Sequence, residues 1–487
     1  EICCFPLKRD WIVQAPLIGT RKHETHLEEY CQLTSIACKR QSEGGTGFKA
    51  KQLKLLEAKQ VSQKTVDRAI LRFIVQGLQS FSLVETPSFQ DLIAELQPSS
   101  AVMSRTTVRR KIDSATSKMK ECLKNEMKKV PYIATTTDCW TARRRSFIGV
   151  TAHWLNPCSF ERRSAALACH QLRGSRTFDA LAAVLTDIHA EYEISLKVVR
   201  TTTDNGSNFV KAFRVFGEYC DASDGEEEVE FMDVEAILEE DDGLQYQLPK
   251  HHRCACHVLN LVSTVYVDRA NKTEAYKKLS RSAFSKCQAL WNKASRSPQN
   301  AELIEKHCKL HLVQPNSTRW NSELLETKER GEYVTTMSPV VKSLNILQGE
   351  VNIHMGWLFP TITTLTTKLE KSRPSLRFCK PLVDALLEGL RKRFVSMMSE
   401  PELIAAAILV PRFKTSWTSN DTVLHLGKEN VCCFVLFLNT ALPASAACER
   451  LFSIAGLLFT PRRGSIHSQN FENQILLKLN KDFMTFD

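Results

Sequence analysis

Apolar residues recur at helical spacing from residue 51 to 129. Val66, Ile70, Phe73 and Ile74 fall on one predicted face, with Leu78 a turn further on. Ser88 stands where a cap belongs before Phe89 and Leu92, and Ser99 and Ser100 precede another start. From Pro131 the period becomes that of strands. The β-branched run 132–137 is followed by strands at 146–155 and 163–172. Residues 178–192 read as a helix through Leu181, Leu185 and Ile188, and 196–203 as a fourth strand. The first three strands are close enough in sequence for an antiparallel meander, and the helix then crosses over to a parallel strand. Beyond residue 242 the pattern is almost entirely helical, at 254–265, 275–294, 301–310, 361–369, 382–398 and 402–408. Two more helices close the chain, 444–457 after Pro443 and 469–483.

Charge divides this pattern. Residues 221–242 hold 12 acids and no Lys or Arg, and read as a low-complexity linker. The rest has 65 basic residues against 42 acidic, a net of +23, which suits a polyanion partner as well as a solvated basic surface. The expected segments are an irregular arm (1–50), a helical segment with a basic face at Arg105, Arg109, Arg110 and Lys111 (51–130), an α/β core (131–220), the linker (221–242), a helical block (243–442) and a closing region (443–487). Seventeen cysteines at irregular spacing point to free thiols in a reducing compartment, not to a disulfide framework. No apolar run is long enough to span a membrane; the longest, 431–438, reads as core. No secretory signal opens the chain, which starts at Glu1 as a fragment or an incomplete gene model would.

Three separated segments each set an acid among small or hydroxylated neighbours. They are Thr135-Thr136-Thr137-Asp138-Cys139-Trp140-Thr141, Thr201-Thr202-Thr203-Asp204-Asn205-Gly206-Ser207-Asn208 and Ser445-Ala446-Ala447-Cys448-Glu449-Arg450-Leu451-Phe452-Ser453. Asp138 and Asp204 are each expected at a strand end, with the threonine hydroxyls positioning carboxylate and water. Gly206 is expected to turn the chain into a helix capped by Ser207. Two carboxylates at strand ends and one on a helix can hold two Mg²⁺ or Mn²⁺ ions for in-line phosphoryl transfer. Each acid alone reads as a turn, cap or surface carboxylate; the argument rests on their joint occurrence. His23, His26 and the cysteines at 3, 4, 31 and 38 lack zinc-finger spacing, so zinc is not expected.

These segments, together with Arg253-Cys254-Ala255-Cys256-His257 and Thr318-Arg319-Trp320-Asn321, resemble in order the motifs of hAT-type transposases and of the zinc finger BED domain-containing proteins descended from them. The resemblance runs from about residue 51 to the C-terminus. It implies an α/β fold, an RNase H-like core interrupted by an all-helical insertion, with a helical DNA-binding segment before it. It implies Asp138, Asp204 and Glu449 as catalytic and metal-binding residues. It implies Arg109, Arg110, Arg253, His257, Arg319 and Trp320 as DNA contacts, and Leu451, Phe452, Ile475, Leu476 and Leu479 in a C-terminal dimerisation region. The departures are a degenerate BED finger, a short stretch between Ser322 and Thr335, and an altered approach to Glu449 with Cys432 and Cys433. These predict a poorly held Glu helix and weak or no catalysis. The expected protein is a nuclear, DNA-binding homodimer or higher oligomer of transposase descent, with no membrane or small-molecule partner. An active two-metal transposase and a protein-interaction scaffold are the alternatives.

Overall fold

The computed structural model describes residues 61–174, 176–204, 206–217, 246–308, 328–429 and 435–486. Three helices come first: α1 (Gln63–Gln76), α2 (Pro87–Leu96) and α3 (Arg105–Lys128). In α1 the buried arc is Val66, Ile70, Leu71, Ile74 and Val75. Phe73, expected in that arc, is 52% exposed, and its ring stacks beside Phe89 at 6.3 Å. The start signals also differ from expectation. Pro87 opens α2, because a missing N–H costs nothing in a first turn. Ser104, not Ser99 or Ser100, caps α3 by accepting the Thr107 N–H at 3.3 Å.

A five-stranded sheet follows, in the order β3-β2-β1-β4-β5. Its strands are β1 (Ile133–Ala142), β2 (Arg145–Leu155), β3 (Arg162–Leu172), β4 (Val198–Thr203) and β5 (His251–Arg253). The first three form the expected antiparallel meander. Helix α4 (Phe178–Glu191) crosses over to β4, which lies parallel to β1, and β5 adds in parallel beyond it. Helix α5 (Ser207–Phe216) lies between β4 and β5 in sequence. The protein is thus α/β with one mixed sheet. Two details differ from the sequence reading. Strand β1 continues past residue 137, because β2 pairs with it antiparallel as far as Ala142. The region expected to be helical from 243 begins with the short strand β5.

Nine helices are described between β5 and the closing region: α6 (Ala255–Leu261), α7 (Glu274–Arg296), α8 (Pro298–Cys308), α9 (Lys328–Leu347), α10 (Leu358–Ser372), α11 (Lys380–Met398), α12 (Pro401–Ile408), α13 (Asp421–Glu429) and α14 (Val435–Thr440). Helix α6 passes through a π-helical turn, Val262–Tyr266, into Val267–Ala270. That turn lies against Gly389 of α11, where a Cβ would come within 2.8 Å of the Tyr266 ring. Apolar residues of α6 and α9–α12 form one core. A second core lies between the sheet, α1, α3, α4 and the two closing helices, α15 (Ala446–Leu458) and α16 (Ser468–Leu479). Among the described residues no helix is long and apolar enough to cross a membrane. The N-terminal arm with its His and Cys, the acidic linker, and Cys432 and Cys433 lie outside the described residues.

Candidate functional site: an acidic centre at the sheet end

The parallel register of β1 and β4 ends at Thr137 opposite Thr203. Asp138 is therefore the first residue of β1 beyond the reach of β4, and Asp204 the first residue past β4. Asp138 is not at its strand's end, as expected, but inside it, opposite Gly149 of β2. Its Oδ1 accepts the Cys139 N–H at 2.7 Å. Asp204 Oδ1 accepts the Gly206 N–H at 3.0 Å, a turn that leads into α5. A Cβ on Gly206 would also sit 3.0 Å from that oxygen, so the close approach suits glycine. Ser207 is the first residue of α5 and no side chain caps that helix, contrary to expectation.

The Asp138 carboxyl is perturbed by its surroundings. Burial pushes the Asp138 carboxyl well above the usual range; the charge of Asp204 and, less strongly, that of Glu449 push it further, against the Cys139 hydrogen bond. Glu449, in the first turn of α15, is raised to about 7 by burial and then by Cys254, with Arg450 opposing and Asp204 adding. The structure thus brings the three acids of the sequence reading into one electrostatic neighbourhood. Among the described residues, however, no group of three or more His, Cys, Asp or Glu is arranged to hold a metal ion.

Helix α15 is held firmly, which corrects the expectation of a poorly held Glu helix. The buried Cys448 thiol donates to the Thr136 carbonyl at 3.1 Å and lies 3.3 Å from its hydroxyl. One turn on, Phe452 packs over Gly149, where a Cβ would meet the ring at 2.8 Å, and stacks on Trp140 at 5.7 Å. The approach is fastened as well. Thr202 Oγ1 donates to the Leu442 carbonyl at 2.8 Å, the Ala255 N–H donates to the Pro443 carbonyl at 2.8 Å, and the Ser445 N–H points to Cys254 Sγ at 3.4 Å. Cys448, Gly149 and Thr202 were missed as site residues. Their only sequence signal was the small residues before Glu449 and the threonine runs. Nor do those threonines surround the carboxylates as expected. They are buried and lock strands together, Thr135 to Thr201 at 2.7 Å and Thr136 to Thr151 at 2.6 Å.

The other predicted residues fall into three groups. Arg253 ends β5 opposite Thr203, at the same sheet end as Asp204, and is half-buried. His257 lies half-buried in the first turn of α6, where its backbone N–H bonds to the Cys254 thiol. Hydrogen bonding, chiefly from Cys256, brings that thiol down to about 6 against the effect of burial. Arg109 and Arg110 are exposed on α3. Arg319 and Trp320 lie outside the described residues. The expected dimerisation residues lie in or against a core. Leu451, Phe452, Ile475 and Leu476 are buried in this chain's own core, and Leu479 is packed against it. Helix α16 is docked by polar groups too, with Asn480 bonding both backbone groups of Ala166 and Glu472 accepting the Cys169 N–H.

Fold and site together define a mixed α/β protein with Asp138 and Asp204 where the register of the parallel strand pair ends. No protein-family model matches the chain. It is 26% identical over 250 residues to the "Putative AC transposase" of Zea mays, covering 50% of this chain and 28% of that protein. It is also 26% identical over 282 residues to the "Putative transcriptional regulator tpeD" of Talaromyces stipitatus, covering 53% and 31%. The aligned part thus spans less than a third of the curated relatives it matches. These relatives bear out the resemblance to hAT-type transposases and are consistent with descent from one.

Proposed function

We propose that this is a nuclear DNA-binding protein of hAT-transposase descent, built on an RNase H-like core with its helical block inserted between β5 and the Glu helix. The observation that supports this reading is the placement of Asp138 and Asp204 where the β1–β4 register ends, with Glu449, from a distant part of the chain, raising the Asp138 carboxyl. The segment limits expected from the sequence are proposed with it: 1–50, 51–130, 131–220, 221–242, 243–442 and 443–487. The net charge of +23 outside residues 221–242 supports a polyanion partner. Arg109 and Arg110 are placed on an exposed helix face where phosphates can reach them. Self-association, if it accompanies DNA binding, uses a surface other than the buried Leu451, Phe452, Ile475 and Leu476.

In its chemistry the acidic centre fits Mg²⁺ or Mn²⁺. Hard carboxylate oxygens suit such ions, and the repulsion that raises Asp138 is what a cation relieves. Asp138, Asp204 and Glu449 would hold it. When bound, the ion supplies charge stabilisation to the attacking and leaving oxygens of a phosphodiester. The Cys139 and Gly206 N–H groups orient two of the carboxylates, and Cys448, next to the third, ties its helix to the Thr136 carbonyl of β1. Among the described residues no three donors are set for an ion, so taking one calls for movement of the carboxylates, and movement costs rate. Strand cleavage is therefore proposed to be near background, with a regulatory or relic role.

The firm seating of α15 favours a second reading, an active two-metal transposase. The test is cleavage of a duplex bearing terminal inverted repeats of a transposon end, in Mg²⁺ and in Mn²⁺, beside the double variant Asp138→Ala/Asp204→Ala. DNA binding with cleavage equal to the double variant supports the first reading. Cleavage well above the double variant establishes the second. No binding to DNA at low salt removes both and leaves an interaction scaffold.

A further inference from the structure

Helix α7 carries six basic residues, Lys277, Lys278, Arg281, Lys286, Lys293 and Arg296, and one acid, Glu274. Lys277 is paired with that acid at 2.9 Å. Lys278, Arg281, Lys286, Lys293 and Arg296 are exposed and have no ion-pair partner among the described residues. At 100° per residue these five fall within one face of the helix, together with the exposed Ser282, Ser285 and Ala289. Small residues between the basic ones let another surface approach the helix closely. The face from Lys278 to Arg296 is ~27 Å long at 1.5 Å per residue, a little under one turn of duplex DNA. A groove of about 490 Å³ opens at its N-terminal end, lined by Glu274, Ala275, Lys277, Lys278 and Arg281. Of the α7 residues whose side chains are described, Tyr276 is buried in the helical core, so the helix has a packed side and a free one.

Five cations along one helix repel each other, and no acid among the described residues pairs with them. A row this long and this free of acids matches a row of phosphates better than it matches a single anion. We propose that the exposed face of α7 is a phosphodiester-backbone binding surface of the helical block, separate from the acidic centre, that holds duplex DNA without reading its sequence. This deepens the DNA-binding reading above and rests on it. The contact is assigned to backbone oxygens, since the cations are spread over ~27 Å of one exposed helix face, as a row of phosphates is, instead of clustering on one base pair.

The test uses the full chain and two duplexes of about 30 base pairs with unrelated sequences, followed by fluorescence anisotropy from 50 to 300 mM salt. The perturbation is Lys278→Ala/Arg281→Ala/Arg296→Ala, three exposed positions that the fold does not use; circular dichroism and melting confirm the fold. Each lost phosphate contact lowers the slope of log affinity against log salt by about 0.9. The expected result is a slope smaller by roughly two to three, and affinity reduced at least tenfold at 50 mM salt, equally on both duplexes. A variant that binds both duplexes with the parent's slope overturns the inference and leaves the DNA-binding reading standing. A loss confined to one duplex also overturns it, because backbone contacts cannot tell sequences apart. A parent that binds neither duplex sinks both the inference and the function it rests on.

Discussion

Arg200→Met should loosen the helical block from the sheet. Arg200 lies in β4 and is 6% exposed. One guanidinium nitrogen donates to Glu400 Oε1 and to Glu402 Oε2, both at 2.7 Å, at the start of α12. Lys250, just before β5, contacts the same two oxygens at 2.9 Å. Burial alone would raise the Glu400 carboxyl; Arg200 and then Lys250 outweigh it and bring it from its ordinary 4.5 to about 2. A carboxyl lowered that far is worth roughly 3 kcal/mol at neutral pH. Lys250 and Glu402 are each a third exposed, so solvent screens part of the network. Lys250 also stays behind in the variant. Removing Arg200 should therefore cost roughly 2–4 kcal/mol, near the lower end for breaking a buried pair. The folded value lies below the unfolded one, so this stability is present above about 4.5 and is lost as pH falls toward about 2. The deficit of the variant should thus be largest near pH 7 and shrink below 4.5. A chain of this size need not unfold in one step, so hydrogen exchange in α12, β4 and β5 is the direct readout, with melting beside it. Parent-like exchange at pH 7, or a deficit that does not change between pH 7 and 3.5, would refute the reasoning.

Three further outcomes follow from the site and its support. Gly149→Ala puts a methyl 2.8 Å from the Phe452 ring, so α15 must shift; we expect a loss of about 1–3 kcal/mol in urea unfolding, and a parent-like midpoint would mean the contact is soft. Leu476→Asp sets a charge at a fully buried position and should cost about 4 kcal/mol or leave insoluble protein; a folded monomer or dimer with parental melting would return Leu476 to an interface. Asp138→Asn removes a carboxyl whose ionisation in the fold is opposed by burial and by Asp204, so melting at pH 7 should rise without metal, while Mn²⁺ should stabilise the parent and not the variant. A variant less stable than the parent in metal-free buffer would show that the carboxylate is held by favourable contacts instead.

The four long strands and the crossover helix were legible because β-branched runs alternate cleanly with a 3.6-residue pattern. What escaped the sequence was set by partners far along the chain. The length of β1 is fixed by β2, so Asp138 lies inside a strand whose local pattern suggested an end at Thr137. Strand β5 has three residues, too few to show any period; it exists because β4 offers an edge. The apolar face of α16 was visible, but pattern alone does not say whether such a face meets the same chain or another. Asn480 and Glu472 decide for the same chain by reaching the β3 backbone. The three acids could be chosen from their neighbours, whereas their seat could not. Cys448 and Gly149 carry no sequence mark of a contact that joins the Glu helix to β1 and β2.

The helical block between β5 and α15 helps deliver Glu449. Three arginines join it to the sheet and to α15. Arg162, at the start of β3, donates to the carbonyls of Asn439 and Thr440 and meets His354 Nδ1 at 3.0 Å. Burial lowers this arginine to about 9, opposed by Glu350, so its charge is kept at a cost in desolvation. Arg200 holds α12 to β4, and Arg450, next to Glu449, reaches Glu350 and the Gln348 carbonyl just after α9. Asn439 ties the same path inward, accepting the Gly356 N–H at 3.0 Å and donating to Ala406 at 3.1 Å. The last residues before the Glu helix are thus bracketed by the block on one side and by Thr202 and Ala255 on the other. A carboxylate delivered by a segment fastened on two sides has little freedom to swing away from Asp138 and Asp204. Any movement that sets the three acids for a cation must therefore be small, or must move the block with it.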